Sequence, residues 1–225
     1  PDNMIYFGQG TVTNSGVVGM DNYRMGWLKD HPDLHDVPAK DIQLIGRAYE
    51  TPNPLTLTRE QVKTSAFHPF AQAAPDGVII EGQPKPNGVI FRMSTDGSRL
   101  EVYAHGLRNP YGLMWSPDGT LYATENGLDA RGSRPVANDK DDIYVVREGA
   151  WYGWPDYAMG LPVTDPRFKP EGKPQPQFLL SEHPPVEQPW MTFPKHAAIT
   201  KLDFSPSEAF GKGQMFVAFF GHMTP

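Results

Sequence analysis

The sequence predicts an all-β chain, and three observations predict it. Glycine and proline, 22 and 24 of the 225 residues, punctuate almost every segment. That density argues against long helices, because proline removes a backbone donor and glycine weakens a helix interior. Short alternating apolar runs flank Asp-Gly turns, the local signal of β-hairpins. Finally, one turn-plus-strand unit recurs. Pro1-Asp2-Asn3-Met4-Ile5-Tyr6-Phe7-Gly8-Gln9-Gly10 matches Pro117-Asp118-Gly119-Thr120-Leu121-Tyr122-Ala123-Thr124-Glu125-Asn126-Gly127, and a looser copy runs from Ser205-Pro206 to Gln214-Met215-Phe216-Val217-Ala218. Repeated hairpins of this kind are the signature of propeller blades.

In chain order, residues 1–19 give one strand and a Gly/Ser/Asn turn. Residues 20–88 form a long excursion. Residues 41–49 (DIQLIGRAY) alternate as one strand, Thr58-Arg59-Glu60-Gln61-Val62 reads as the start of a short helix, and residues 69–88 are rich in proline and glycine. Long ordered excursions are often functional. Residues 88–127 are the clearest β-region. Gly88-Val89-Ile90-Phe91-Arg92-Met93 pairs with Leu100-Glu101-Val102-Tyr103 across an Asp96-Gly97 turn, and residues 111–115 pair with 120–124 across Pro117-Asp118-Gly119. Residues 142–146 form another strand, 156–188 a proline-rich connection, and 199–204 and 215–220 two final strands. No linker divides the chain, so 1–225 reads as a single partial propeller domain. The first repeat copy opens at its turn and the last stops just after a strand. Open blades leave sheet edges exposed, so the expectation is a native chain that continues in both directions. The alternative is an intact small β-domain with ragged ends.

Composition excludes several classes. The formal charge is −6 and the cations are scattered, whereas a nucleic-acid partner needs a concentrated basic surface. No run of about 18 apolar residues exists, so a spanning helix is not expected. The absence of cysteine removes disulfides and thiolate metal sites. Neither a Gly-x-Gly-x-x-Gly opening a strand-helix unit, a P-loop, Gly-x-Ser-x-Gly nor His-Glu-x-x-His occurs.

The chemistry-bearing residues concentrate in 106–155, GLRNPYGLMWSPDGTLYATENGLDARGSRPVANDKDDIYVVREGAWYGWP. Arg108 and Asn109 sit between two strands. An arginine fork suits carboxylate or quinone oxygens, and the simpler account is a carboxylate partner for Arg108 and a turn shaped by Asn109. Asp139, Asp141 and Asp142 form an acidic cluster before a strand. Calcium takes six to eight oxygen ligands, and a solvated acidic loop is the simpler account. Trp151, Trp154 and Tyr157 make an aromatic corner; Trp154 reads as core, while Trp151 stays open between core and a wall against which a sugar stacks.

This stretch resembles the soluble PQQ-dependent sugar dehydrogenases, the quinoprotein family of aldose, glucose and sorbosone dehydrogenases. The resemblance rests on the Leu107-Arg108-Asn109-Pro110 element, the Glu125-Asn126-Gly127-Leu128 strand end and the Trp151-Tyr152-Gly153-Trp154-Pro155 corner. It implies a six-bladed β-propeller of four-stranded antiparallel blades, of which the chain covers about half. It implies PQQ held by Arg108, Asn109 and Asn126, and a calcium ion on the carbonyls of Gly127 and Leu128. It also implies a second calcium at Asp142 and the Tyr152 carbonyl. The inserted Ala130-Arg131-Gly132-Ser133-Arg134-Pro135-Val136-Ala137-Asn138-Asp139 lengthens the loop relative to the shortest relatives. The implied reaction is oxidation of an aldose or sugar aldehyde at C1 by hydride transfer to PQQ, with electrons leaving to an external acceptor such as a c-type cytochrome. The implied location is periplasmic or secreted.

Such chemistry needs a base, and histidine fits near neutral pH. The family's catalytic His is expected upstream of Pro1, which would leave this chain inactive by itself. Of His31, His35, His68, His105, His183, His196 and His222, His196 is the candidate within the chain and His105 reads as structural. Two other readings are a calcium-dependent lactonase-type propeller and a non-catalytic carbohydrate-binding propeller. The lactonase needs several side chains converging on a central metal, where this loop offers mostly carbonyls.

Overall fold

The computed structural model of the chain describes residues 3–221; Pro1 and Asp2 of the first repeat copy, His222 and the last residues lie outside the described residues. In chain order, β1 is Met4–Gln9, followed by two short helices, α1 (Met20–Arg24) and α2 (Trp27–Asp30). Then come β2 (Ile42–Gln43), β3 (Ala48–Pro52), β4 (Gln61–Ser65) and β5 (Ile79–Ile80). The long hairpins are β6 (Val89–Ser94) with β7 (Leu100–His105), and β8 (Pro110–Trp115) with β9 (Leu121–Glu125). β10 (Asp141–Val145), β11 (Tyr157–Ala158), β12 (Leu161–Pro162), β13 (Met191–Phe193), β14 (Ile199–Phe204) and β15 (Met215–Phe219) complete the order.

The chain is all-β in its long elements, and among the described residues every ladder between these strands is antiparallel, with isolated parallel bridges between His105 and Trp151 and between Trp151 and Val186. Three sheets carry the propeller plan. β8-β9-β10-β13 is a four-stranded meander, β1-β6-β7 has three strands, and β14-β15 has two. Among the described residues only the middle sheet reaches four strands. Strands β1, β9 and β15 correspond to the three repeat copies; β9 and β15 each follow a turn and pair back to the strand before them, β8 and β14, while β1 pairs with β6. The sheets stack face to face. Ile90, Ala104 and Leu107 of the first sheet and its exit loop meet Leu121, Ala123 and Tyr144 of the second. On the other side of that sheet Ile143 meets Ile199 and Leu202.

Turn chemistry explains the hairpins. Asp96 accepts from the Ser98 amide (3.0 Å) and from the Ser94 hydroxyl (2.7 Å), while Gly97 takes φ +74°, a left-handed value open to glycine. Asp118 accepts from the Thr120 amide at 3.2 Å in the same way.

The excursion departs after Gln9 and rejoins at Val89, where β1 pairs β6 from Gln9↔Val89 to Met4↔Ser94. The expected single strand over 41–49 is split. Leu44 and its neighbours bend away because Gly46 lies against the Pro75-Asp76 backbone, its amide donating to Asp76 at 3.0 Å. The helix expected from Thr58 is instead the turn into β4. Asn53 and Thr56 donate to the Glu60 carboxylate at 2.8 and 2.6 Å, and the Thr58 hydroxyl donates to it as well. These bonds close the β3-β4 hairpin rather than cap a helix. The excursion and the 151–180 segment share one core, in which Val17, Leu44 and Phe67 pack with Trp151, Trp154 and Phe168. Both corner tryptophans are therefore buried. A wholly buried ion pair pins this core: Arg134 donates to Asp156 (2.8 Å) and to the carbonyls of Ser15 (3.0 Å) and Pro155 (2.9 Å).

Candidate cofactor and cation site

The loop between β7 and β8 carries Arg108 and Asn109, and its shape is set by a carboxylate. Glu125, the last residue of β9, accepts the backbone amides of Arg108 and Asn109, the latter at 3.0 Å. Sequence reading placed Glu125 only as a strand end; its partners come from the β8-β9 register, which sets Pro110 opposite Glu125. The Asn109 amide donates to the Asn126 side chain at 3.2 Å, and Asn126 in turn donates to the Ile199 carbonyl at 2.8 Å. The Arg108 guanidinium donates to Asp129 (3.1 Å), to the Asn14 side chain (3.3 Å) and to the Asn126 carbonyl (3.3 Å). The fold thus joins Arg108, Asn109 and Asn126 in one network. Arg108 also has the carboxylate partner that the simpler account requires.

This network borders an open depression of about 500 Å³, lined among others by Arg108, Asn126, Gly127, Asp129 and His196. His196 lies with its Nδ1 3.7 Å from Asp129 and its side chain 67% exposed. Its φ of +60° is left-handed, an uncommon backbone conformation for histidine. Asp129 also accepts from Arg131 at 3.0 Å, and Arg131 reaches on to Asp21 at 2.6 Å. The inserted loop is therefore tied both to Arg108 and to α1, through Asp129 at its entrance and Arg131.

Gly127 also borders a second, much smaller space. A cavity of about 20 Å³ is bounded by Glu125, Gly127, Leu128, Asp139, Asp142 and Tyr152, with other residues. Glu125 and Asp142 are directly opposite in the β9-β10 register, and like charges so placed repel. One oxygen of each, Glu125 Oε2 and Asp142 Oδ1, is buried with no hydrogen-bond partner. Burial, the largest cause in each case, pushes the Glu125 carboxyl up to about 8 and those of Asp139 and Asp142 up to about 7. Such groups hold a proton near neutrality unless a cation replaces it.

Carbonyls offer further donors around this region, enough for more than one ion. Among the described residues, no N–H or O–H donates to the carbonyl oxygens of Gly127, Leu128 or Tyr152. The amides of these turns are capped instead: Gly127 donates to Asp141 at 2.9 Å and Leu128 to Asp139 at 2.6 Å. A Cβ at Gly127 would lie 2.2 Å from the Lys140 carbonyl oxygen and 2.8 Å from Asp139 Oδ2, so only glycine fits there. Among the described residues no three His, Cys, Asp or Glu side chains form a ready metal-ligand group. A cation would therefore need carbonyls as well as carboxylates, which is calcium's usual donor set. The residues present fit such an ion. Tyr152 is itself core: its hydroxyl donates to the Val145 carbonyl at 2.9 Å, and its ring stands edge-on to Tyr144 at 5.0 Å.

Comparison with known proteins decides the family. The family model for Glucose / Sorbosone dehydrogenase matches residues 71–223. The chain belongs to that family. Among curated proteins, it is similar to the quinoprotein glucose dehydrogenase B of Acinetobacter calcoaceticus, with 29% identity over 107 residues, 46% of this chain and 19% of that protein. It is also similar to the aldose sugar dehydrogenase YliI of Escherichia coli K12, with 32% identity over 97 residues, 40% of this chain and 24% of that protein. The matched stretches thus span about a fifth to a quarter of those relatives' length. The PQQ-bound aldose sugar dehydrogenase of Streptomyces coelicolor superposes loosely: the TM-score is 0.39 and the identity 21%, over 61% of this chain and 34% of that one. Among the described residues, no helix of this family member is long and apolar enough to cross a membrane.

Proposed function

We propose that this Glucose / Sorbosone dehydrogenase family chain is part of a quinoprotein that oxidises an aldose or sugar aldehyde at C1 by hydride transfer to PQQ with calcium. The observation that carries the reading is the Arg108-Asn109-Asn126 network at the rim of the depression, beside the unbonded carbonyls of Gly127 and Leu128. When bound, PQQ supplies the hydride acceptor and calcium a Lewis acid.

The chain's own residues bind and orient. Arg108 offers a planar fork to acidic or quinone oxygens, held in place by Asp129 and Asn14. Asn109 and Asn126, fixed through Glu125 and the Ile199 carbonyl, orient the cofactor edge. The Gly127 and Leu128 carbonyls would hold its calcium, while Asp142 and the Tyr152 carbonyl would hold a second ion. His196, at the rim with Asp129 beside its ring, would meet a sugar hydroxyl. The proton-abstracting base is expected on chain preceding Pro1. Electrons leave to an external acceptor, of which a c-type cytochrome is the expected class. The location that suits such an enzyme is periplasmic or secreted.

The lactonase reading draws less support. The converging carboxylates of Glu125, Asp139 and Asp142 close on a cavity of about 20 Å³, which is too small for any substrate. The decisive experiment titrates apo full-length protein with PQQ and calcium while following sugar-dependent dye reduction. Activity that requires both supports the quinoprotein. Failure to bind PQQ, with calcium still raising the melting temperature, would favour a binding propeller.

A further inference from the structure

The excursion and the aromatic corner enclose a second cavity, of about 370 Å³, within the range of small-molecule sites. It shares none of Arg108, Asn109, Asn126 or the acidic cluster. Most of its wall is apolar, including Val37, Ile42, Phe67, Trp151, Trp154 and Leu180.

The polar groups facing it divide into two sets. Some are already engaged: Asp41 accepts from the Gly82 amide at 2.9 Å, Gln43 donates to the Gly77 carbonyl at 3.1 Å, and His183 lies 3.0 Å from Asp156. The others are not. Among the described residues, the Lys40 ammonium has no carboxylate partner, and neither the Trp151 indole N–H nor the His105 ring has a hydrogen-bond partner. Trp151 is only 4% exposed, yet its indole nitrogen is not among the buried atoms left without a partner, so the N–H keeps some accessible surface of its own. Gly106 makes room for that indole, since a Cβ there would lie 2.3 Å from its nitrogen, and both residues line the cavity. His105 is held neutral near physiological pH: burial first, then the nearby Lys40 charge, pushes it down to about 4.

We propose that this cavity binds a small organic monocarboxylate with a compact, ring-sized apolar body, its carboxylate received by Lys40, the Trp151 indole and His105. Lys40 is the one cation lining the cavity and Asp41 and Glu182 line it too, so a single negative charge is the most it can take, with the two neutral donors carrying much of the recognition. A dianionic phosphate would meet the same two carboxylates with twice the charge. A neutral alcohol would leave Lys40 without a counter-ion. The inference does not depend on PQQ, because the cavity lies apart from the Arg108 depression.

The test is calorimetric titration of the PQQ-free full-length protein with benzoate, benzyl alcohol and inorganic phosphate. Benzoate should bind, with benzyl alcohol and phosphate at least tenfold weaker. Lys40→Met should weaken benzoate roughly ten- to a hundredfold, as loss of a charged hydrogen bond does, and Lys40→Arg should keep it within a few-fold. Lys40 is exposed, so both variants are expected to fold, and melting curves check this. His105→Phe gives a second, independent loss. No heat with benzoate would overturn the proposal. So would equal binding of benzyl alcohol, which would mark a merely apolar hollow, or Lys40→Met binding benzoate as tightly as wild type.

Discussion

Asp142→Asn should change the sign of its stability effect with calcium. In the cation-free protein Asp142 is buried opposite Glu125, with Oδ1 unpartnered. Its carboxyl is lifted from 3.8 to about 7, burial being the main cause. At pH 8 the ionised form therefore costs roughly 4 kcal/mol relative to the unfolded chain, at about 1.4 kcal/mol for each tenfold. The sign follows from proton counts. Between about pH 4 and 7 the folded protein holds a proton that the unfolded chain has lost, so stability falls as pH rises through that window. Asparagine never ionises and can still accept from Tyr144, whose hydroxyl lies 3.3 Å from Asp142 Oδ2. In a chelator at pH 8 the variant should then be the more stable protein by about 1–3 kcal/mol, allowing for imperfect amide solvation. In calcium at about a hundred times Kd the wild type gains roughly 2.7 kcal/mol, and the variant forfeits most of that. Scanning calorimetry of the full-length protein reads both arms, at roughly 2–4 °C per kcal/mol. Equal destabilisation in both buffers, or a wild-type melting point indifferent to calcium, would refute the cation site.

Arg108→Lys should weaken PQQ binding by about 1.5–3 kcal/mol, because a point donor cannot span Asp129, Asn14 and the Asn126 carbonyl together; fluorescence titration with PQQ checks it, and unchanged affinity removes Arg108 from the site. Asp156→Asn should cost about 3–5 kcal/mol by stranding the buried Arg134 charge, and a loss under about 1 kcal/mol in urea unfolding would mean that the carbonyls alone hold Arg134. Asp36 is pushed up to about 6 by burial despite its bonds from Val12 and Thr13. Wild-type stability should therefore fall between about pH 4 and 6 more steeply than that of Asp36→Asn, by roughly 2–3 kcal/mol over the window; parallel curves would show that Asp36 titrates normally.

The parts of this fold that were legible in the sequence are those specified locally. The β6-β7 and β8-β9 hairpins carry their own turn residues, Asp96-Gly97 and Asp118-Gly119, and their apolar alternation sets which face is buried, with one register shift in each ladder. The β2-β5 and β3-β4 pairings lacked such signals. β2 and β5 are two residues each and meet across 35 intervening residues, where neither periodicity nor turn chemistry speaks. Helices of five and four residues, α1 and α2, fall below any periodic pattern. At the site, the Arg-Asn pair and the acidic cluster stood out by residue type. The partners that organise them did not. Glu125 and Asp129 acquire their roles from a strand register and from a loop returning to Asn14, 115 residues away. Even within the cluster, type alone could not separate the jobs of its members.

That separation follows from the two-residue period of a strand. Asp141 and Asp142 are neighbours in β10, so their side chains leave opposite faces. Asp141 points toward the depression, where its two oxygens accept the amides of Gly127 (2.9 Å) and Ala198 (2.6 Å). Asp142 points into the small cavity against Glu125. One short strand thus fixes the loop that would present carbonyls to a cofactor's metal and the turn that carries His196. It also contributes a carboxylate to a separate cation. An ion at Asp142 would hold β10 against β9, and through Asp141 would hold Gly127 and the His196 turn in place. On this reading calcium binding and order in the cofactor depression are linked without any residue shared as a ligand. Asp141→Asn should therefore leave the calcium-dependent rise in melting temperature largely intact while weakening PQQ binding. If the calcium effect vanished together with PQQ affinity, the two faces of the strand would not be doing separate jobs.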